Sequence, residues 1–149
     1  MARPIVAVVL LSAALTSGAL RAQEPRTEAG AYAAAVAAVR ARRDTPDSAR
    51  FAPDSAAMYR QFVTCRAAGE KAPVCSLVDD KPVVMVLVHL SDATSGTAQV
   101  RYYYMLRGRC PVGPQYDVPI IGYTRSETFS LRFTAGRWQA SADGKGIEC

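Results

Sequence analysis

Two tyrosines at alternate positions, Tyr102 and Tyr104, and two adjacent acids, Asp79 and Asp80, are the side chains of this sequence best suited to acid–base chemistry. A phenol and a carboxylate that met in one cavity could move a proton on and off a small substrate, provided burial and neighbours tune them. Each also has a plainer reading. A tyrosine on an apolar strand face packs in a core with its hydroxyl satisfied, and adjacent acids before Lys81-Pro82 form a solvated turn. His89 is the sole histidine and falls near a strand end, where alternation points it away from Tyr102 and Tyr104. No Gly-x-Ser-x-Gly, phosphate loop or other catalytic signature occurs after the leader described below.

The four cysteines are Cys65, Cys75, Cys110 and Cys149. In an exported chain they make two disulfides, for which sequence alone allows three connectivities. The expected pairs are Cys65 with Cys75, locking a helix end to the loop after it, and Cys110 with Cys149, pinning a long connection and the tail. No metal is expected, because no Cys-x-x-Cys occurs and there is one histidine, and no other cofactor is implied. A cysteine nucleophile would have only His89 as its base.

Met1 to Ala22 reads as a secretory signal peptide, with Arg3 as the positive start, Ile5 to Leu20 as the apolar stretch, and cleavage after Ala22 in preference to Ala19. That stretch is shorter than the ~20 residues a spanning helix needs, so membrane contact is expected only through the leader before its removal. The protein is expected to be secreted or periplasmic, with residues 23–149 as a single domain. Its net charge of +5 falls to +3 when Arg3 and Arg21 leave, too small to suggest a nucleic-acid partner. Arginine far outnumbers lysine and asparagine is absent, which points to GC-rich bacterial coding and leaves no N-glycosylation acceptor.

The elements that must position these residues follow from periodicity. Val83 to Leu90 and Ala98 to Leu106 alternate as two arms of a hairpin around Asp92 to Gly96. With Leu90 opposite Ala98, Val86 faces Tyr102 and Val84 faces Tyr104, so the even positions share one apolar face and the odd face is mixed. Before the hairpin, Glu28 to Arg43 reads as a helix capped by Thr27, its terminal Arg40, Arg42 and Arg43 forming a solvated end in preference to an anion site. The segment Pro-Asp-Ser-Ala occurs at Pro46 and again at Pro53, each time as a turn, the second opening a helix capped by Asp54 or Ser55. That helix runs to Ala68 and stops at Gly69. Glu70 to Pro82 reads as a loop. Gly108 to Thr124 is a long connection in which Val118, Ile120, Ile121 and Tyr123 make a candidate apolar surface. Thr128 to Thr134 and the return through Trp138, Ala140 and Ala142 form a second hairpin around Ala135-Gly136.

The expected fold is therefore α+β, two N-terminal helices packed on a curved antiparallel sheet of about four strands. This order of elements resembles the cystatin-like and nuclear-transport-factor-like α+β rolls. The strand, Gly136-Arg137-Trp138 turn and final strand resemble small secreted proteins of GC-rich bacteria. The resemblance implies a helix across a curved sheet, in a group that includes isomerases and hydrolases with Asp, Tyr or His in a cone as well as non-catalytic binding modules. None of their motifs maps onto this chain residue by residue. The expected function is an exported, disulfide-stapled, non-catalytic binding or accessory module for a protein or small apolar ligand. The alternative is a small cone-pocket enzyme, of isomerase or hydrolase type, using Tyr102 or Tyr104 with Asp79 or Asp80. An enzyme requires titratable groups converging on a pocket, and a binding module requires a filled core and an exposed apolar patch.

Overall fold

The computed structural model describes residues 26–109 and 115–145. The leader, Cys110 and Cys149 lie outside the described residues, and among those described no helix is long and apolar enough to cross a membrane.

Helix α1 spans Glu28–Arg40, and Thr27 accepts the Gly30 amide at 3.2 Å as its N-cap. Its buried stripe is Ala31, Ala35 and Val39, small residues at a spacing of four that let the helix sit close on a sheet. Strand β1 (Arg50–Ala52) follows, then α2 (Ser55–Phe62), capped by Asp54, which accepts the Ala57 amide at 2.7 Å. Strands β2 (Val63–Ala68) and β3 (Lys71–Leu77) form a hairpin of their own. β4 (Val83–Leu90), β5 (Ser95–Arg109), β6 (Gln115–Thr134) and β7 (Arg137–Lys145) complete the chain. The main sheet runs β1-β4-β5-β6-β7, with β1 parallel to β4 and every other pair antiparallel; β2 and β3 make a second sheet.

This corrects the expected pair of helices on four antiparallel strands. The second helix ends at Phe62, and Val63 to Ala68 is a strand because β-branched Val63 and Thr64 begin a stretch that pairs antiparallel with Leu77 and Ser76. Gly69, at φ 69°, serves the turn between β2 and β3, a conformation that a helix stop also demands. Most of the expected loop from Glu70 to Pro82 is strand β3. The connection from Gly108 to Thr124 is largely strand too: β5 continues to Arg109 and β6 begins at Gln115, so Pro119 lies within a strand.

The central hairpin forms with its faces as expected and its register moved by two residues. Leu90 pairs with Gly96, Val86 with Val100 and Val84 with Tyr102. The cause is the turn. Asp92 accepts the Thr94 amide at 2.7 Å and the Ser95 hydroxyl at 2.6 Å, and the Ser91 amide reaches the Ser95 carbonyl at 3.0 Å, so β5 starts at Ser95. A shift of two keeps every side chain on its face. Val84, Val86, Ala98, Val100 and Tyr102 are buried with Phe129, Leu131 and Trp138 under α1. The odd face is covered too: Val83 is buried with Ala52, Ala57, Met58 and Leu77, so α2 and β3 close a second core. At the far end, Ala135-Gly136 turns β6 into β7 with Phe133 opposite Trp138, as the alternation predicts.

Hydrogen bonds from Ser95 and Thr94 hold the Asp92 carboxyl down at about 2. A carboxyl whose pKa is lower in the folded than in the unfolded chain stabilises the fold at neutral pH, and the contribution is lost as pH falls from about 4 through about 2. Asp92→Asn is expected to be less stable than the parent at pH 7, with the gap narrowing toward pH 2. Urea unfolding across this range checks it, and a gap independent of pH would count against the turn's role.

Candidate functional site

Tyr102 sits mid-strand on β5, between Val84 of β4 and Arg125 of β6, and is 1% exposed. Its hydroxyl donates to Glu127 Oε2 at 3.4 Å, and the Arg125 guanidinium lies over its ring at 3.8 Å. Burial pushes the Tyr102 phenol up, and hydrogen bonding to Thr45 and Arg125 opposes that. Around Glu127 the charges close into a ring. Arg42 meets Glu127 at 3.0 Å and Arg125 meets it at 3.3 Å; Asp44 in turn holds Arg125 at 2.6 Å and Arg42 at 3.2 Å. Two cations and two anions balance, with Glu127 fully enclosed and Asp44 facing water, its side chain 42% exposed. The hydrogen bond from Arg42, with Arg125 alongside, lowers the Asp44 carboxyl below the ordinary carboxylate range.

The ring joins the chain just after α1 to strand β6, and Thr45 adds a bond from its hydroxyl to the Val39 carbonyl at 2.8 Å. Arg42 is thus a tether between helix and sheet, whereas its position at the helix end suggested solvent. Every charge in the ring already has a counter-charge, so the cluster behaves as a structural lock. Sequence reasoning missed Glu127 and Arg125 altogether. The available signal was Glu127 itself, a charge interrupting the alternation just before the apolar face of Phe129, Leu131 and Phe133.

The other candidate residues lie elsewhere. Tyr104 is half-buried against the core beneath α1. Asp79 and Asp80 are exposed in a short turn with φ of 57° and 53°, and Asp80 faces Arg107 at 3.5 Å on the surface. The structure does not bring either acid to Tyr102. His89 is exposed and pairs through its backbone with Thr97. Cys65 and Cys75 are bonded to each other and lie directly opposite across β2 and β3, so this disulfide staples a hairpin. Among the described residues no cluster of three or more His, Cys, Asp or Glu could hold a metal.

The apolar surface suggested around Val118 to Tyr123 falls on strand β6, where Ile120 and Ile121 form one wall of an open groove of about 350 Å³. Tyr59 of α2 and Pro73, Val74 and Cys75 of β3 form the other. Val118 lies on the same strand. Beyond Ile121 on the same side, Tyr123 packs edge-on against Tyr103 at 5.8 Å, and Arg101 lies over its ring at 5.4 Å. The large hydrophobics exposed among the described residues are Tyr59 at 52%, Tyr123 at 44% and Val74 at 41%. All three border this one groove or its extension. The stapled hairpin holds Val74 in place, and β6 supplies the isoleucines from the stretch that pairs with Met105 and Leu106 of β5.

No protein-family model, curated protein or solved structure matches the chain.

Removing one member of a buried ion cluster leaves an uncompensated charge, a loss of about 3 kcal/mol when the group is fully enclosed and under about 1 kcal/mol when it faces water. Glu127→Gln is therefore expected to destabilise the protein several-fold more than Asp44→Asn, by chemical denaturation at pH 7. Equal losses would show that the ring does not lock α1 to β6.

Proposed function

We propose that this protein is an exported, disulfide-stapled binding module without catalysis of its own, and that it takes an apolar or aromatic segment of a partner protein in the groove between the β2–β3 hairpin and β6. The single observation that carries this reading is that exposed Tyr59 and Val74 line one groove and exposed Tyr123 follows its Ile121 by two residues on β6. Contiguous apolar surface kept in water at the expense of solubility marks an interaction site, and aromatic residues are the side chains that dominate such contacts. The groove is open along its length, which suits an extended segment better than a small molecule that must be enclosed. Arg66 and Lys71, both exposed on the same hairpin, and Arg101 above Tyr123 favour acidic residues flanking the apolar ones.

The rival enzyme needs a phenol and a carboxylate open to one cavity. Tyr102 spends its hydroxyl on Glu127 and is sealed from solvent, while Asp79 and Asp80 face water at a different turn. Export is supported by the Cys65–Cys75 bond, which persists in oxidising compartments.

Peptides selected from a random phage-displayed library on the native protein are expected to share an apolar or aromatic residue. Val74→Asp and Tyr123→Asp should weaken them at least about tenfold while leaving the thermal midpoint nearly unchanged, since both side chains are already exposed. Peptides that bind the double variant undiminished would overturn the groove assignment. Intact mass of protein recovered from the periplasm, alkylated without reductant, is expected to show a chain beginning at Gln23 with no alkylated cysteine; a retained leader or a free thiol would refute the exported, stapled form.

A further inference from the structure

Strand β3 has β2 as its strand neighbour on one side, and among the described residues no strand pairs with its other side. That open edge frames the groove. Ala72, Pro73, Val74 and Cys75 line it in unbroken succession, whereas a strand that showed only a face would contribute alternate residues. Lys71 to Val74 are exposed and Cys75 is half-buried, so the edge is within reach from solvent.

The direction of each backbone group follows from the pairing with β2. Cys65 and Cys75 stand opposite each other with their Cα atoms 4.0 Å apart, the close spacing of a pair that exchanges no hydrogen bonds. The N–H and C=O of Cys75 therefore aim away from β2. Leu77, two residues on, shares this orientation: its N–H leaves the hairpin and donates to Met105 Sδ at 3.2 Å. Val74 takes the opposite sense, facing Arg66 across the hairpin, and the planar trans peptide before it sends the Pro73 carbonyl outward. A proline is tolerated in a strand where its nitrogen faces no neighbour, as at this edge. The wall of the groove thus offers a donor from Cys75 and acceptors from Cys75 and Pro73. Charge adds to this, because β2 and β3 carry Arg66 and Lys71 and no acid.

Resting on the groove assignment above, we infer that the partner segment binds by strand addition, lying extended beside β3 as a third strand of the β2–β3 sheet, with an acidic residue toward Lys71. The segment accepts the Cys75 N–H and donates two of its own N–H groups, to the Cys75 and Pro73 carbonyls. In either strand direction these two donors belong to alternate residues, and the N–H between them faces the other way. Backbone bonds supply the attachment, while Tyr59, Ile120 and Ile121 select the side chains. The partner is defined by conformation as much as by sequence: an extended stretch, apolar or aromatic, with no proline at the two donating positions and an acid at one end.

The test uses the full chain and synthetic copies of a phage-selected peptide, each methylated at one amide nitrogen and titrated by calorimetry. Methylation at either of two residues spaced two apart is expected to weaken binding at least about tenfold, and at the residue between them less than about twofold. Lys71→Glu is expected to weaken the unmethylated peptide several-fold, and no loss would overturn the acidic flank. Hydrogen exchange followed by NMR reads the same contact from the protein side. In the free protein the Cys75 amide is expected to exchange faster than those of Val74 and Ser76, and the peptide to slow it at least about tenfold. A peptide that Val74→Asp weakens but that tolerates methylation at every position leaves the groove standing and overturns strand addition. So does a Cys75 amide already slow in the free protein or indifferent to the peptide. Selection that yields no peptide, or only peptides untouched by Val74→Asp, overturns the groove reading and this inference with it.

Discussion

The central strand β5 is the constraint on which the rest of the structure depends. It pairs with β4 from Gly96 to Tyr103 on one side and with β6 from Ser95 to Arg109 on the other, so over the shared stretch its backbone polar groups have partners on both sides and its side chains are free to build two cores. Ala98, Val100 and Tyr102 face α1, and Tyr103 and Met105 face the layer made by α2 and the β2–β3 hairpin. A slip of one residue would exchange these two sets and place Gln99 and Arg101 beneath the helix. A slip of two leaves both cores intact, which is why turn chemistry at Asp92 could settle the register without disturbing the pattern.

Polar interactions complete what apolar packing begins. Helix α1 offers mostly alanine to the sheet, which allows a close approach and brings little apolar area per residue. The ring of Arg42, Asp44, Arg125 and Glu127 compensates by tying the chain just after the helix to β6 through ion pairs between two guanidinium groups and two carboxylates. Enclosing Glu127 is costly, and the cost is offset by two guanidinium groups and the Tyr102 hydroxyl.

The large hydrophobics exposed among the described residues gather at and beside one groove. The groove lies where two sheets meet, and its walls come from elements that the disulfide and the neighbouring strands hold rigid, so little ordering entropy opposes occupancy.

The sequence by itself left the second N-cap between Asp54 and Ser55 and allowed three disulfide connectivities, but it determined the alternating faces of the β4–β5 hairpin, the β6–β7 hairpin with its Ala135-Gly136 turn, and the N-cap at Thr27. These are local signals with a period of two, a cap geometry or a short closure, and distant contacts do not alter them. Tertiary structure decided the rest. Val63 to Ala68 follows a helix and precedes a glycine, a pattern that suits a helix end or a hairpin equally; pairing with Lys71 to Leu77 chose the hairpin. Gly108 to Thr124 is punctuated by prolines that suggest a loop, yet it is largely strand because β5 and β6 supply each other's partners far from the first hairpin. Strand β1 is three residues long and exists through its parallel contact with β4, across an intervening helix and hairpin. The partners of Tyr102 were hidden for the same reason. Asp79 and Asp80 lie about as near along the chain, but the strand pairing that places Arg125 opposite Tyr102 also brings in Glu127, and only the docking of α1 adds Arg42 and Asp44.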